Sequence, residues 1–149
     1  MRQRGFTLLD LMIALTVAAL LTVIAIPSYN GVVERARVAA AIGDMGEIQI
    51  ALDKFITKNN GPYPAGLAAV DMDTLEDPWK NPYQYLNIEA GANPGAVRKD
   101  RNLVPINTDY DLYSLGKDGA SVPPLTARAS QDDVIRAGNG SYFGSAKDY

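Results

Sequence analysis

Residues 6–26 read FTLLDLMIALTVAALLTVIAI, an apolar run in which Asp10 is the only charged residue. At about 1.5 Å of rise per residue, a helix of this length spans roughly the hydrocarbon core of a bilayer. Arg2 and Arg4 precede the run and no basic cluster directly follows it, which favours an N-terminus in the cytoplasm. The sequence therefore predicts one membrane-spanning helix, with the rest of the chain on the far side of the membrane.

The composition of the chain excludes several classes of function. Its 149 residues contain no cysteine and no histidine, which removes thiol nucleophiles, disulfides, the usual zinc sites and a Ser–His dyad. The net charge of −3 gives no basic field, so nucleic-acid binding has no electrostatic support. No nucleophile is paired with a base and no loop is built to hold phosphate, so the chain is predicted not to be an enzyme.

Asp10 distinguishes among three interpretations of the N-terminal segment. A secretory signal peptide has a similar basic start, but its apolar region is shorter and ends in small residues, whereas Pro27 follows this one. A plain membrane anchor fits the length and the charge bias. Neither interpretation accounts for Asp10. Placing a carboxylate inside an apolar membrane segment costs a few kcal/mol, so such a residue by default has a function and a partner that pairs with it.

The third interpretation comes from residues 4–15, RGFTLLDLMIAL, which resemble the class III signal of type IV pilins and type II secretion pseudopilins. The resemblance implies that a prepilin peptidase cuts between Gly5 and Phe6 and methylates the new N-terminus. The family usually has glutamate at the position of Asp10, and the resemblance implies that this acid pairs with the N-terminal amine of a neighbouring subunit. Pro27 matches a common family proline, where the helix kinks or melts. Asp10 and Pro27 are therefore predicted assembly residues.

Residues 28–58 are predicted to continue this helix as an amphipathic half. Its apolar positions recur at close to 3.6 residues, with charged residues between them. These positions are Val32, Val33, Ala36, Ala39, Ala40, Ile42, Met45, Ile48, Ala51, Leu52 and Phe55. The sequence Asn59-Asn60-Gly61-Pro62 is a strong helix stop. The second half should therefore pack on a small domain and end near residue 58.

The rest of the chain predicts loops and short strands. Trp79, Tyr83 and Tyr85 suit a small core and the start of a strand, with an aromatic ligand platform as the alternative. The polar residues 91–107 predict a solvated loop, and residues 109–116 alternate as a strand does. Because a two-stranded ribbon is marginal alone, two or three antiparallel strands should lie on the amphipathic half-helix.

A second resemblance narrows the family. Residues 77–83, DPWKNPY, closely resemble the Asp-Pro-Trp-x-Asn-Pro-Tyr stretch of the major pseudopilin of type II secretion systems, which pilins in general lack. The implied fold is α+β and pilin-like, a long N-terminal helix packed on a small antiparallel sheet. The implied domains are a leader at residues 1–5, a membrane and filament-core half-helix at 6–27, and a globular domain at 28–149. That domain comprises the half-helix at 28–58 and the loop and sheet at 59–149.

Two acidic segments near the C-terminus are candidate metal ligands. Residues 115–119, LGKDG, follow the last predicted strand, and Asp132-Asp133 lies downstream; alone they predict a solvated acidic turn without EF-hand spacing. Both segments resemble the calcium loop of the major pseudopilin. The resemblance implies a structural calcium ion bound by the carboxylates of Asp118, Asp132 and Asp133 and by the carbonyl of Leu115. Residues 120–131 lack the family's glycine-rich run, so no ligand is assigned among them.

The resemblance implies a structural subunit that polymerises into a periplasmic pseudopilus and drives type II protein secretion. The expected location is the inner membrane, single pass, with the C-terminal domain in the periplasm. The implied partners are further copies of the chain, the prepilin peptidase, the inner-membrane assembly platform and minor pseudopilins.

Two other functions stay open at this stage. The first is the major pilin of a type IV pilus, a surface fibre for adhesion, motility or DNA uptake; many such pilins carry a C-terminal disulfide, which this chain lacks. The second is a membrane-anchored binding module that never polymerises, and the Gly5-Phe6 junction and Asp10 count against it.

Overall fold

The structure, a computed structural model, describes residues 7–149. A long helix, α1 (Leu8–Asn59), precedes four short strands: β1 (Gln84–Asn87), β2 (Tyr110–Ser114), β3 (Val134–Ala137) and β4 (Tyr142–Ser145). The strands form one antiparallel sheet in the order β1-β2-β3-β4. Short 3-10 turns occupy Leu67–Val70, Arg128–Ser130, Gly138–Gly140 and Ala146–Asp148. The predicted α+β fold is confirmed, and the sheet has four strands where two or three were expected.

The helix α1 ends as the sequence predicts. Asn60 adopts a left-handed φ of 44°, and the Gly61 amide donates to the Ile56 carbonyl at 3.4 Å. This bond spans five residues and satisfies a carbonyl of the last turn, as in a Schellman motif with asparagine in the left-handed position. Pro27 lies inside α1, and the helix continues through it although proline offers no backbone donor.

The chain divides into two compact units, one ending at Ala36 and one comprising Arg37–Tyr149. In the first unit every side chain from residue 7 to residue 32 is exposed, and most of them are apolar. Among the described residues, α1 is the one helix long and apolar enough to cross a membrane. An apolar surface of this size needs lipid or other apolar helices around it.

In the second unit α1 buries a narrow stripe. Ala41, Met45, Ile48 and Leu52 are fully buried and follow the helical repeat. The prediction placed Ala39 and Ala40 in the apolar face and omitted Ala41; this was wrong, because both are exposed. Three successive alanines are equally apolar, so the phase of the stripe comes from the larger side chains that follow.

The sheet is covered on both faces, which we name by their covers. On the helix face, Tyr110, Leu112 and Val134 pack with the buried stripe of α1. On the loop face, a second cluster forms without α1. Its buried members are Ile106, Leu125, Ile135, Ala137 and Ala146. Neighbouring strand residues point to opposite faces, so β2 is buried at nearly every position and does not alternate.

The prediction of a solvated loop at residues 91–107 was wrong at residues 97–98 and 106–107. Val97, Arg98, Ile106 and Asn107 are buried. The backbone of Lys99 pairs in parallel with that of Pro123 and Pro124, and the Lys99 amide donates to the Pro123 carbonyl at 3.1 Å. The two ends of residues 97–107 therefore contribute to the cover of the loop face, whereas residues 101–104 between them are exposed, as predicted.

Candidate functional site

The predicted processing junction, Gly5-Phe6, lies outside the described residues. The next residue, Thr7, forms a capping box with Asp10. The Asp10 carboxylate accepts hydrogen bonds from the Thr7 amide at 3.1 Å and from the Thr7 hydroxyl at 2.8 Å. In return the Thr7 hydroxyl oxygen accepts from the Asp10 amide at 3.2 Å. Two backbone donors at the start of α1 are thereby satisfied.

This arrangement gives Asp10 a local role that the sequence prediction missed, although the pattern Thr-x-x-Asp was visible at residues 7–10. The Asp10 side chain is exposed on the first turn of the helix. A carboxylate has about four acceptor positions, so the contacts with Thr7 leave capacity for a further donor. Capping and pairing with a neighbouring subunit are therefore compatible.

In the Asp-Pro-Trp segment, residues 77–83, the Asp77 carboxylate accepts several hydrogen bonds that hold the turn together. One carboxylate oxygen of this buried residue accepts from the amides of Trp79 at 2.9 Å and Asn81 at 2.8 Å. The other accepts from the Ser114 hydroxyl at 2.5 Å, at the end of β2. The Asn81 side chain then donates to the Gly116 carbonyl at 2.9 Å. The motif thus ties the turn before β1 to the segment that follows β2.

The aromatic residues of this motif belong to the core, as predicted. Tyr83 is buried and donates from its hydroxyl to the Asp44 carboxylate on α1 at 2.8 Å. Trp79 and Tyr85 are half-buried against the same cluster. Burial and the Asp44 carboxylate raise the pKa of Tyr83, so its hydroxyl stays a donor at any physiological pH. The aromatic residues therefore join α1 to the sheet.

Asp118 and Asp132, two of the predicted calcium ligands, lie together. The Asp132 carboxylate accepts from the Asp118 amide at 2.9 Å, and the Asp118 carboxylate accepts from the Ala120 amide at 2.8 Å. Gly116, beside the half-buried Leu115, has a φ of 63°, and a Cβ there would lie 2.4 Å from the Asp132 carbonyl oxygen. Glycine is therefore needed at residue 116 for this close approach.

Asp133 is directed elsewhere. It is fully buried, and one carboxylate oxygen accepts from the Arg98 guanidinium and from the Ser121 hydroxyl, the latter at 2.5 Å. Its other oxygen is buried without a hydrogen-bond partner. Burial raises the pKa of Asp133 to about 6, although Ser121 and Arg98 act to lower it.

The oxygen atoms of this loop fit calcium in part. Asp118 and Asp132 each carry a carboxylate and are joined by a hydrogen bond from the Asp118 amide, and the unpartnered oxygen of Asp133 has free acceptor capacity. Hard cations such as calcium prefer carboxylate and carbonyl oxygens of this kind. Within residues 7–149, however, no three acidic side chains gather into a metal-binding group.

A second buried arginine lies on the helix face. The Arg136 guanidinium donates to both carboxylate oxygens of Asp109, at 2.9 and 2.6 Å, and to the Gln49 side chain of α1 at 3.1 Å. It also stacks on the Tyr110 ring, 4.0 Å from the centroid. The sequence prediction missed this group, because nothing local relates residues 109 and 136.

Comparison with known proteins agrees with this architecture. Residues 1–26 match the family model described as the prokaryotic N-terminal methylation motif. The chain is 30% identical to the type II secretion system core protein G of Pseudomonas aeruginosa, over 79% of this chain and 86% of that protein. It is 31% identical to the core protein G of Aeromonas hydrophila, over 79% of this chain and 85% of that protein.

Other comparisons are more limited. The type IV major fimbrial protein FimA of Dichelobacter nodosus is 35% identical over 51 residues, which is 34% of this chain and 33% of that protein. No solved structure matches the chain significantly.

The methylation motif, the exposed apolar helix and the α+β domain define a pilin-like subunit. Within this class, the similarity over most of the chain is decisive. The chain belongs to the type II secretion system core protein G family.

Proposed function

We propose that this chain is the structural subunit of a secretion pseudopilus and polymerises into the periplasmic filament of a type II secretion system. One observation carries the proposal: similarity to core protein G extends over 79% of the chain, whereas similarity to the fimbrial protein covers 34%. A type IV pilus subunit is therefore the weaker candidate, and the chain has no proposed enzymatic activity.

The exposed apolar half of α1 supports both stages of this function. Before assembly, lipid can cover residues 8–26, and the subunit would reside in the inner membrane with residues 28–149 in the periplasm. After assembly, the same side chains would be covered by helices of neighbouring copies. The exposed surface thus has a cover in each state, first lipid and then protein.

The proposed maturation follows from the N-terminal motif. Prepilin peptidase removes residues 1–5 and methylates the amine of Phe6. The further proposed partners are the inner-membrane assembly platform and minor pseudopilins. Intact-mass measurement of the protein purified from membranes should show the loss of five residues and the gain of one methyl group. A mature chain that still begins at Met1, in cells with active peptidase, would contradict the proposal.

Asp10 provides the test of polymerisation, because its charge and its capping role can be separated. Asp10→Ala removes both, Asp10→Asn retains an acceptor for the Thr7 donors without the charge, and Asp10→Glu retains the charge. If the charge pairs with a neighbouring amine, Asp10→Ala and Asp10→Asn subunits should enter the membrane but form few filaments.

Filament counts by electron microscopy, with the subunit level measured by immunoblot, separate assembly from insertion. Asp10→Glu should restore filaments to at least half of the wild-type number. Normal filaments from Asp10→Asn cells would assign Asp10 to helix capping and would refute the pairing.

We also propose that residues 115–133, here called the C-terminal loop, bind a structural calcium ion through Asp118, Asp132 and the Leu115 carbonyl, with Asp133 contributing its free oxygen. The hydrogen bond from the Asp118 amide to the Asp132 carboxylate supports this site, because it brings the two acidic residues together. A bound ion would relieve the repulsion between them and link the end of β2 to the start of β3.

A further inference from the structure

The Arg98 side chain lies on the loop face and is 2% exposed. One of its nitrogens donates to the Ser121 hydroxyl at 2.5 Å and to the Val122 carbonyl at 2.8 Å. Another forms the ion pair with Asp133. A single side chain therefore contacts the segment just after Asp118 and the residue just after Asp132, the two parts of the chain that the proposed calcium ion would join.

The position of Arg98 is itself secured by β2. Its guanidinium stacks on the Tyr113 ring, 4.2 Å from the centroid, and its backbone amide donates to the Asp111 carboxylate at 2.6 Å. A planar guanidinium can stack on an aromatic ring while it donates hydrogen bonds in its own plane. The group is thus fixed between the strand and the C-terminal loop.

We propose that Arg98 is a built-in cation that keeps the C-terminal loop closed without a metal ion. It neutralises Asp133, which would otherwise be a buried and unpaired charge. The charge of arginine is permanent, so this link does not depend on the concentration of any free ion. Calcium at Asp118 and Asp132 then adds to a loop that is already ordered.

This role is independent of filament formation, so its test does not require assembly. It differs from the proposed calcium role in one respect: the loop should stay closed in chelator as long as Arg98 and Asp133 are both present. The single tryptophan, Trp79, packs half-buried on the core and can report unfolding of the full chain in detergent.

Thermal unfolding in chelator, followed by Trp79 fluorescence, should separate Arg98→Met from the matched control Arg128→Met. Methionine approximates the apolar stem of arginine and leaves Asp133 without its cation. We expect the Tm of Arg98→Met to fall by about 10 °C or more. Arg128 is exposed in the same loop, and we expect Arg128→Met to stay within about 2 °C of wild type.

A second substitution shows whether the charge pair is the cause. If Arg98 acts by neutralising Asp133, then Asp133→Asn should remove most of the need for it, and Arg98→Met/Asp133→Asn should melt at least about 5 °C above Arg98→Met. This comparison holds even if the single variant is largely unfolded. The proposal is overturned if Arg98→Met melts like wild type in chelator, or if the double variant is no more stable than Arg98→Met.

Discussion

The helix face of the sheet is covered by one regular element, whereas the loop face is covered by two irregular segments, residues 97–107 and 120–131. Each face holds a buried arginine that stacks on a tyrosine of β2, Arg136 on Tyr110 and Arg98 on Tyr113. The difference lies in what surrounds the two arginines. Four fully buried apolar side chains of α1 pack on the helix face. On the loop face, hydrogen bonds from Arg98 and Ser121 link the covering segments.

The two ion pairs differ in burial as well. The Arg136 partner, Asp109, is 17% exposed, whereas the Arg98 partner, Asp133, is fully buried. A buried charge that loses its partner is far more costly than one that water can reach. The helix face should therefore be most sensitive to lost apolar volume, and the loop face to lost charge balance.

The largest expected effect is on the helix face, at Ile48. Ile48→Ala removes three buried carbons from the core and should lower the free energy of unfolding by about 2–5 kcal/mol. Ile50 is on the same part of α1 but is 55% exposed, so Ile50→Ala is a matched control with an expected change within about 0.5 kcal/mol. Denaturant unfolding of the full chain in detergent, followed at Trp79, measures both. If both variants lost the same free energy of unfolding, α1 would not pack on the sheet through its buried stripe.

This contrast also explains how much the sequence could predict. The buried stripe of α1 could be found from Met45, Ile48 and Leu52, because helical periodicity is a local signal. The helix stop at Asn60 and the core role of Tyr83 were local signals too. The capping box of Thr7 and Asp10 was equally local and was overlooked.

The loop face could not be predicted in the same way. Arg98 and Asp133 are 35 residues apart in sequence. An arginine within a polar segment is usually solvated, and no periodicity distinguishes a buried one. The strands β3 and β4 were also missed, because they are four residues each and are buried by irregular covers on the loop face. The pairing of Asp133 with Arg98 could not be predicted for the same reason: the position of Asp133 next to Asp132 in the sequence does not reveal the direction of its side chain.

The second expected effect is the response to calcium, which should be confined to the loop face. A ligand that binds only the folded form stabilises by RT ln(1 + [L]/Kd), or about 2.7 kcal/mol at a hundredfold excess over Kd. The Tm of the full chain should therefore be several degrees higher in calcium than in chelator. Magnesium should substitute poorly, because it requires a tighter octahedral shell and retains its waters.

Two variants locate this response. Asp118→Ala removes a proposed ligand and should abolish most of the calcium increment. Ile48→Ala weakens the helix face alone and should leave the increment intact, since distant sites contribute additively. Identical melting of the wild-type protein in calcium and in chelator would leave Asp118 and Asp132 as surface charges.

The smallest expected effect is a pH dependence that originates at Asp111 on the loop face. Burial raises the pKa of Asp111, and the donors Arg98 and Asn107 only partly counteract it. Because the folded pKa lies above the unfolded value of about 4, the folded form binds more protons between these two values. This contribution to stability is fully present below pH of about 4 and is lost as the pH rises through the folded pKa.

Asp111→Asn removes this titration and leaves the other acids in place. Its amide cannot accept both of the hydrogen bonds that Asp111 accepts, which lowers stability by the same amount at every pH. The pH slope is therefore the informative quantity. The free energy of unfolding of wild type, minus that of Asp111→Asn, should fall as the pH is raised from about 4. Asp73→Asn, at an exposed acid outside this cluster, is the matched control for the slope. A flat or rising difference for Asp111→Asn would mean that Asp111 takes up no extra proton on folding.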